Sequence, residues 1–473
     1  MTAAPRGSAA PGFRGPFAEG PPADALTVEI PPLEQFGITE LCRMAVIYIV
    51  LVVWILRALA GRMIRPAGRT WFAAGSAGAV DAFEHLGPTF VKLGQVIASS
   101  PGVFPATLAA ACQRCLDEVP PFDGETARRM ITEDLGRSPD ELFAEFDAEP
   151  LSAASIGQVH ACVLPDGRAA VVKLQRPDIR ARMTTDLRIM FRLAHTFERT
   201  RWGRSANATA AIRDLHAVTF QELNPVLEAW RQDRFRANIG AFGDNEWVTV
   251  PEIHWAFCGP RMICMARVSG VPLDEFEELR ARGVDGELVL RRGAKVWVEA
   301  VCLHGPFHGD MHAGNIWVLD DGRGCFLDFG IVGELSDPWK GVIKDIFFTT
   351  MIDQDFTRVA RAYRRLGVFP PDLGTDEEIG DRLAVILGPM LRGGMGQVSL
   401  GSLITSSIDL LQQYQATAPQ ELMLIAKQLL YIERFTAGLG PDYVLARDLF
   451  LIKNIFPEAV EAAAAELGVE MPE

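Results

Sequence analysis

The chain has 473 residues, 49% of them hydrophobic and 22% charged, with a formal net charge of −14 and a pI near 5.2. That much apolar sequence can fill one large two-lobed domain plus extensions, and the acidic balance argues against an extended nucleic-acid footprint, so no nucleic-acid partner is expected. The eight cysteines are scattered, and the close pair Cys112 and Cys115 lacks a second pair or a histidine pair at zinc spacing, which leaves reduced core or helix residues, with a redox pair as the alternative.

Residues 1–32 are rich in Ala, Pro and Gly and read as a disordered tail without the apolar core of a signal peptide. The most apolar run, 44–56, is bounded by Arg43 and Arg57. It is short for a span, but snorkelling by Arg57 extends it through Ala60. Segment 33–70 is therefore expected as a hydrophobic helix with a basic flank that inserts into or lies on a membrane, or else as a core or oligomer-interface helix. Arg57, Arg62, Arg65 and Arg69 follow the run, whereas Glu29, Glu34 and Glu40 accompany Arg43 before it. If the helix spans, the catalytic part faces the cytoplasm. In Lys92-Leu93-Gly94-Gln95 the lysine and glutamine share one face of a helix, and Gly94 permits close approach of another backbone. Alone, such residues are solvated. A helix is expected over 126–146.

The residues 163–168 read as a hairpin turn, and Ala169–Gln175 as a strand in which one lysine, Lys173, is surrounded by apolar residues. A buried lysine implies a partner; an edge strand with a snorkelling lysine is the alternative. A helix is expected over 187–200, and Pro225 can begin another that carries Glu228. Then comes His308-Gly309-Asp310-Met311-His312-Ala313-Gly314-Asn315, followed by Asp328-Phe329-Gly330. Phosphoryl transfer needs a group that orients the nucleophile and oxygen ligands for Mg²⁺, and this order supplies Asp310 for the first and Asn315 and Asp328 for the second. Lys173 would hold the α- and β-phosphates of ATP and pair with Glu228. Beyond Gly330, helical spacing recurs at 339–351, 356–366, 382–391, 403–413 and 421–435. The glycine cluster 393–396 has no preceding strand and no lysine and reads as a flexible connection.

The sequence from about Phe83 to about Leu445 resembles the UbiB (AarF/ADCK) family of atypical, protein-kinase-like proteins. Lys92 to Gln95 is similar to its KxGQ signature and continues into 99–105 and 117–121 in the family's order. Segment 151–160 resembles its alanine-rich nucleotide loop, Glu222-Leu223-Asn224 stands at its ExD motif, and 418–443 is similar to its C-terminal helical signature. The resemblance implies an α+β, bilobal protein-kinase-like fold with a small β-rich N-lobe, a large helical C-lobe and an N-terminal helical KxGQ extension. Boundaries are expected at 71–146 for the extension, 147–270 for the N-lobe and hinge, and 271–450 for the C-lobe, with 451–473 a tail.

By the same resemblance, Ala153, Ala154 and Ser155 bind ATP together with Lys173 and the hinge residue Met265. Alanine reaches positive φ less cheaply than glycine, so this loop should wrap phosphates differently from a glycine-rich one; Ser155 either adds a hydroxyl contact or is a turn serine. Lys92, Gln95, Glu222 and Asn224 would occlude or regulate the site, making a peptide substrate improbable. The implied function is an atypical kinase-like Mg-ATP-binding enzyme, an ATPase or a small-molecule or lipid kinase, supporting isoprenoid-quinone or other membrane lipid metabolism. Its partners would be ATP and ADP, a membrane lipid or quinone precursor, the membrane surface, and biosynthetic proteins or a second copy. Alternatives are a nucleotide-gated scaffold and a soluble small-alcohol phosphotransferase; the latter shares the HGDxHxGN loop but not the KxGQ segment. The sequence departs from the family pattern in three segments: Asn224 replaces the ExD aspartate, the loop HGDMHAGN lacks two prolines, and Ala266 stands where glutamate is frequent.

Overall fold

The computed structural model describes residues 12–64, 70–98, 105–116, 121–200, 208–369, 372, 374–392 and 420–468. The sequence readings at 99–104, 117–120, 393–396, 403–413, Ala418 and Pro419 lie outside the described residues. The chain divides into two compact units, one formed by residues up to Leu227 together with Ile253–Arg267, the other by Glu228–Glu252 and everything from Val268 onward.

The first unit is built on an antiparallel sheet of β1 (Glu145–Ala153), β2 (Gly157–Val163), β3 (Ala169–Gln175) and β5 (Met262–Ala266), in that order; the short β4 (Val248–Thr249) belongs to the second unit. The β2–β3 hairpin closes where Leu164 N–H donates to Arg168 O at 2.9 Å and Gly167 takes φ 88°, a conformation glycine adopts without steric cost. Val159, Lys173 and Ile263 lie across from one another on β2, β3 and β5. Lys173 is therefore on a central strand, and the edge-strand alternative is excluded.

Helices α1 (Ile38–Ile64), α2 (Trp71–Leu86), α3 (Pro88–Ala98) and α4 (Ala106–Cys112) precede the sheet, and α7 (Ile179–Phe197) and α8 (Ala208–Glu222) follow β3. Their common core includes Val80, Leu86, Phe90, Cys112, Cys115, Leu187 and Phe220. Both cysteines of the close pair are buried and unbridged, and burial raises the Cys112 thiol pKa. The expected helix over 126–146 is shorter: α5 (Gly124–Leu135) stops at Gly136, which is left-handed at φ 71°. A Ser138–Glu141 capping box then opens the single turn α6 (Pro139–Leu142).

The apolar helix α1 is 27 residues long, enough to cross a membrane by length and composition. Ile38, Leu41, Ile49, Val53, Leu56 and Ile64 are exposed along it. Its other side meets α2 at Gly78, where a Cβ would stand 2.8 Å from Trp54 O and 2.9 Å from Ala58 Cβ; Ala74, Gly78 and Ala82, four apart, form a small-residue stripe that admits this approach. The start of α1 is tied to α7: Arg43 Nε donates to Asp186 Oδ1 at 2.8 Å, and Arg188 Nη1 to Glu40 Oε1 at 3.1 Å.

The second unit contains α9 (Pro225–Ile239) from Glu228 on, and helices α10 (Phe276–Ala281), α11 (Gly286–Glu299), α12 (Asp337–Phe348), α13 (Phe356–Arg365), α14 (Asp376–Arg392), α15 (Gln420–Leu439) and α16 (Pro457–Leu467). A sheet of β4, β9 (Gly324–Phe326), β8 (Ile316–Leu319) and β6 (Gly270–Pro272) and a ladder of β7 (Phe307–His308) with β10 (Val332–Gly333) complete it. Its core is centred on Trp297, Val301, Phe307 and Phe329, all fully buried.

Three expectations need correction. Residues 12–32 are not a disordered tail: they form turns, and Gly15 N–H donates to Ala256 O at 3.0 Å. Residues 451–473 are not merely a tail, because α16 places Val460 in the second core. Residues Glu228–Glu252 group with the second unit, not with the expected 147–270 lobe.

Candidate functional site

In the second unit, the loop after β7 is held by a buried histidine. His308 Nδ1 accepts from Asp310 N–H at 3.1 Å and Nε2–H donates to Leu327 O at 2.8 Å. Those two bonds demand the neutral ring, and burial lowers the His308 pKa. Trp297 Nε1 donates to His308 O, and Asn315 Nδ2 to Asp310 O at 3.0 Å, so the Asn315 side-chain oxygen is turned the other way. From α15, the fully buried Gln428 donates to Gly309 O at 2.6 Å and accepts from Met311 N–H at 2.7 Å, bracketing Asp310. The Asp310 carboxylate itself lies 2.8 Å from Lys427 Nζ and 3.7 Å from His312 Nε2.

Asn315 O accepts from Leu327 N–H at 2.8 Å where β8 pairs with β9, which brings Asn315 and the neighbouring Asp328 to the same end of that hairpin. Asp328 is exposed and left-handed at φ 58°, its Oδ1 accepting from Gly330 N–H at 3.1 Å. Non-glycine residues hold that conformation only where the surroundings impose it. Those surroundings are Phe329, fully buried with its ring 4.9 Å from His308 and 5.0 Å from Phe235, and Arg231, whose Nη1 donates to Gly330 O at 3.1 Å. Glu228, one turn before Arg231, is buried. Burial lowers the Arg231 pKa, and the Glu228 carboxylate opposes that shift.

In the first unit, Lys173 is half-buried on β3 and Met265 half-buried on β5. The chain leaves this unit between Arg267 and Val268, within the segment read as the hinge. Ala153 ends β1, and Ala154 and Ser155 make the turn into β2, with Ala154 N–H donating to Gly157 O at 2.8 Å and Arg176 Nε donating to Ala154 O at 3.1 Å. Ser155 thus lies within this turn, a position open to a hydroxyl contact as well. On α3, the mostly buried Lys92 is ion-paired and hydrogen-bonded to Glu222. Gln95 Nε2 donates to Cys115 O at 2.9 Å, and a Cβ on Gly94 would stand 2.5 Å from Cys115 Sγ, so it is the Cys115 side chain that requires the glycine. Asn224 Oδ1 caps α9 by accepting from Leu227 N–H at 3.0 Å, while Nδ2 donates to Ala25 O at 2.9 Å.

Residues 114–363 match the ABC1 atypical kinase-like domain, and the probable protein kinase UbiB of Cronobacter sakazakii is 31% identical over 385 residues, 80% of this chain and 69% of that protein. The chain belongs to the ABC1/UbiB family of atypical kinases. The uncharacterized protein Rv0647c of Mycobacterium tuberculosis is 34% identical over 369 residues, covering 77% of this chain and 75% of the relative. Among solved structures, the complex of Rv3197 with erythromycin from the same organism has a TM-score of 0.49 and 20% identity, covering 73% of this chain and 87% of that one.

The mixed α+β architecture, with N-terminal helices before the sheet, is the one expected of an ABC1-family chain. Four residues of the site escaped the sequence reading: Arg231, His308, Lys427 and Gln428. His308 sat inside the quoted motif and only its fixing role was unseen. Arg231 follows Glu228 by three, which on a helix is the same face. Lys427 and Gln428 lie more than a hundred residues from Asp310, beyond any local pattern.

Proposed function

We propose that this ABC1-family chain is a Mg-ATP-dependent phosphoryl-transfer enzyme acting at a membrane surface. The observation that carries the reading is the Asp310, Asn315 and Asp328 constellation, gathered at one end of the β8–β9 hairpin and fixed by the neutral His308. Its donor set fits Mg²⁺, a hard cation that favours one or two protein oxygens plus phosphate and water: Asn315 presents its amide oxygen and Asp328 an exposed carboxylate. Among the described residues there is no group of three or more His, Cys, Asp or Glu that could form an all-protein cage. When bound, Mg²⁺ would neutralise the phosphate oxygens.

The chain's own residues do the rest in this reading. Lys173 binds the α- and β-phosphates, Ala153, Ala154 and Ser155 bind the nucleotide from the turn, and Met265 contacts it through backbone. Asp310 orients the acceptor O–H and accepts its proton. Lys92, engaged with Glu222, and Gln95 restrict what enters. The acceptor is an isoprenoid-quinone precursor or another membrane lipid, or water if the work is hydrolysis. The family resemblance supports the lipid, and the exposed apolar side of α1 supports the membrane.

Thermal stability of the purified chain with ATP or ADP, with and without Mg²⁺, tests the nucleotide site. Ligand at a hundredfold over Kd adds about 2.7 kcal/mol, and this protection is expected to require Mg²⁺ and to vanish in Asp328→Asn. Label from γ-labelled ATP in membrane extract is expected in a lipid fraction; label in free phosphate alone would leave an ATPase. Asn224 in place of the ExD aspartate motivates a second reading, a nucleotide-gated scaffold, under which Asp310→Asn would keep full activity in cells while Asp328→Asn would not.

A further inference from the structure

We propose that Lys427 supplies the mobile cation of the phosphoryl-transfer centre, a role that rests on the assignment of Asp310 above. The loop 308–315 contains no lysine or arginine, and its buried histidine is held neutral by the two hydrogen bonds described. A positive charge reaches the loop from α15, where Lys427 Nζ stands 2.8 Å from Asp310 Oδ1. Its placement is fixed by the adjacent Gln428, whose buried amide grips the backbone on both sides of Asp310. Two consecutive residues of one helix thus do separate jobs: one locks the loop and the other delivers an ammonium to its carboxylate.

A structural ion pair is the competing account, and exposure decides against it. The Lys427 side chain is 44% exposed and that of Asp310 23%, so the pair gains little from Coulomb attraction in solvent. Gln428 already performs the structural work from a fully buried position. Half-exposed on a flexible four-carbon stem, and near the Tyr431 ring at 5.8 Å as well as Asp310, the ammonium can swing from Asp310 Oδ1 toward an incoming phosphoryl oxygen. In the step it serves, the acceptor oxygen forms a bond to the γ-phosphorus as its proton passes to the Asp310 carboxylate. The bond from that phosphorus to the β,γ-bridging oxygen breaks, and its electron pair leaves with ADP. Lys427 stays protonated throughout, countering charge on the transferred group and releasing the carboxylate to take the proton.

The test is MgATP turnover by the full chain, measured with Lys427→Met and Lys427→Arg beside wild type. Lys427→Met is expected to lower kcat about tenfold, less than the loss of a preorganised donor because this ammonium is mobile and half-exposed, with KM for ATP and Mg-dependent thermal protection unchanged. Lys427→Arg is expected to recover part of the loss. If Lys427→Met does not melt like wild type, Lys427→Gln, which keeps a polar stem, is read by the same criteria. An active wild type with an equally active neutral variant overturns the role of Lys427 alone. A kcat loss matched by loss of nucleotide protection overturns it too, since the residue would then serve binding. A wild type without turnover removes the phosphoryl-transfer reading and this role together.

Discussion

At position 224 an asparagine and an aspartate are alike as helix caps, for either oxygen can accept from Leu227 N–H. They differ at the other atom, where only asparagine can donate to Ala25 O. In Asn224→Asp a carboxylate would face that carbonyl, so residues 12–32 are expected to lose their hold: amide exchange there accelerates, and the chain is destabilised by about 1 kcal/mol. Unchanged exchange at 24–27 would show that Arg180, donating to Glu29 O, and Arg188, donating to Pro32 O, suffice. A second outcome follows from His160, His216, His304 and His308, whose pKa values are all lowered by burial. The folded chain binds fewer protons at these rings than the unfolded chain. Their contribution is therefore present above the usual histidine value of about 6.5 and lost as pH falls below it. Melting temperature should drop between pH 7 and 5, and His160→Gln should flatten part of that slope. Asp310, Asn315 and Asp328 could be singled out from spacing because they lie within twenty residues of one another; Lys427 could not, because the fold alone brings it to Asp310.

Among the elements, the turn at 163–168 and strand β3 were legible because the turn residues and the apolar run around Lys173 are local, whereas β2 begins inside the segment read as the nucleotide loop and was not read as a strand. The helix expected through Phe146 overran because apolar spacing continues past Leu135 while Gly136 and the Ser138 capping box, both readable in sequence, end it. The α1–α2 packing depends on Gly78, which no periodicity distinguishes from its small neighbours. Gly78→Val would drive a side chain into Trp54 O and Ala58, and overpacking of this kind costs about 1–3 kcal/mol. The expected readout is a lower melting temperature with nucleotide protection intact. Gly75→Ala, where a Cβ meets nothing within 4 Å, serves as the control.

For the molecule as a whole, α1 is the one helix among the described residues that is long and apolar enough to cross a membrane. Its first turns are ion-paired to α7 and one side is packed on α2, an arrangement suited to lying along a membrane with Ile49, Val53 and Leu56 turned outward. Co-sedimentation with anionic lipid vesicles is expected for wild type and should fall severalfold in Ile49→Lys/Val53→Lys; equal recovery would return α1 to an oligomer interface. The discontinuous make-up of the first unit has a consequence during synthesis. Strand β3 is made long before β5, its neighbour, with the whole of Glu228–Glu252 between them assigned to the other unit. At about 5–20 residues per second on the ribosome, the lysine-bearing strand waits roughly 4–17 s with one edge unpaired. A nascent chain in that interval exposes a β edge that chaperones, or another nascent chain, can reach before Met262–Ala266 closes it.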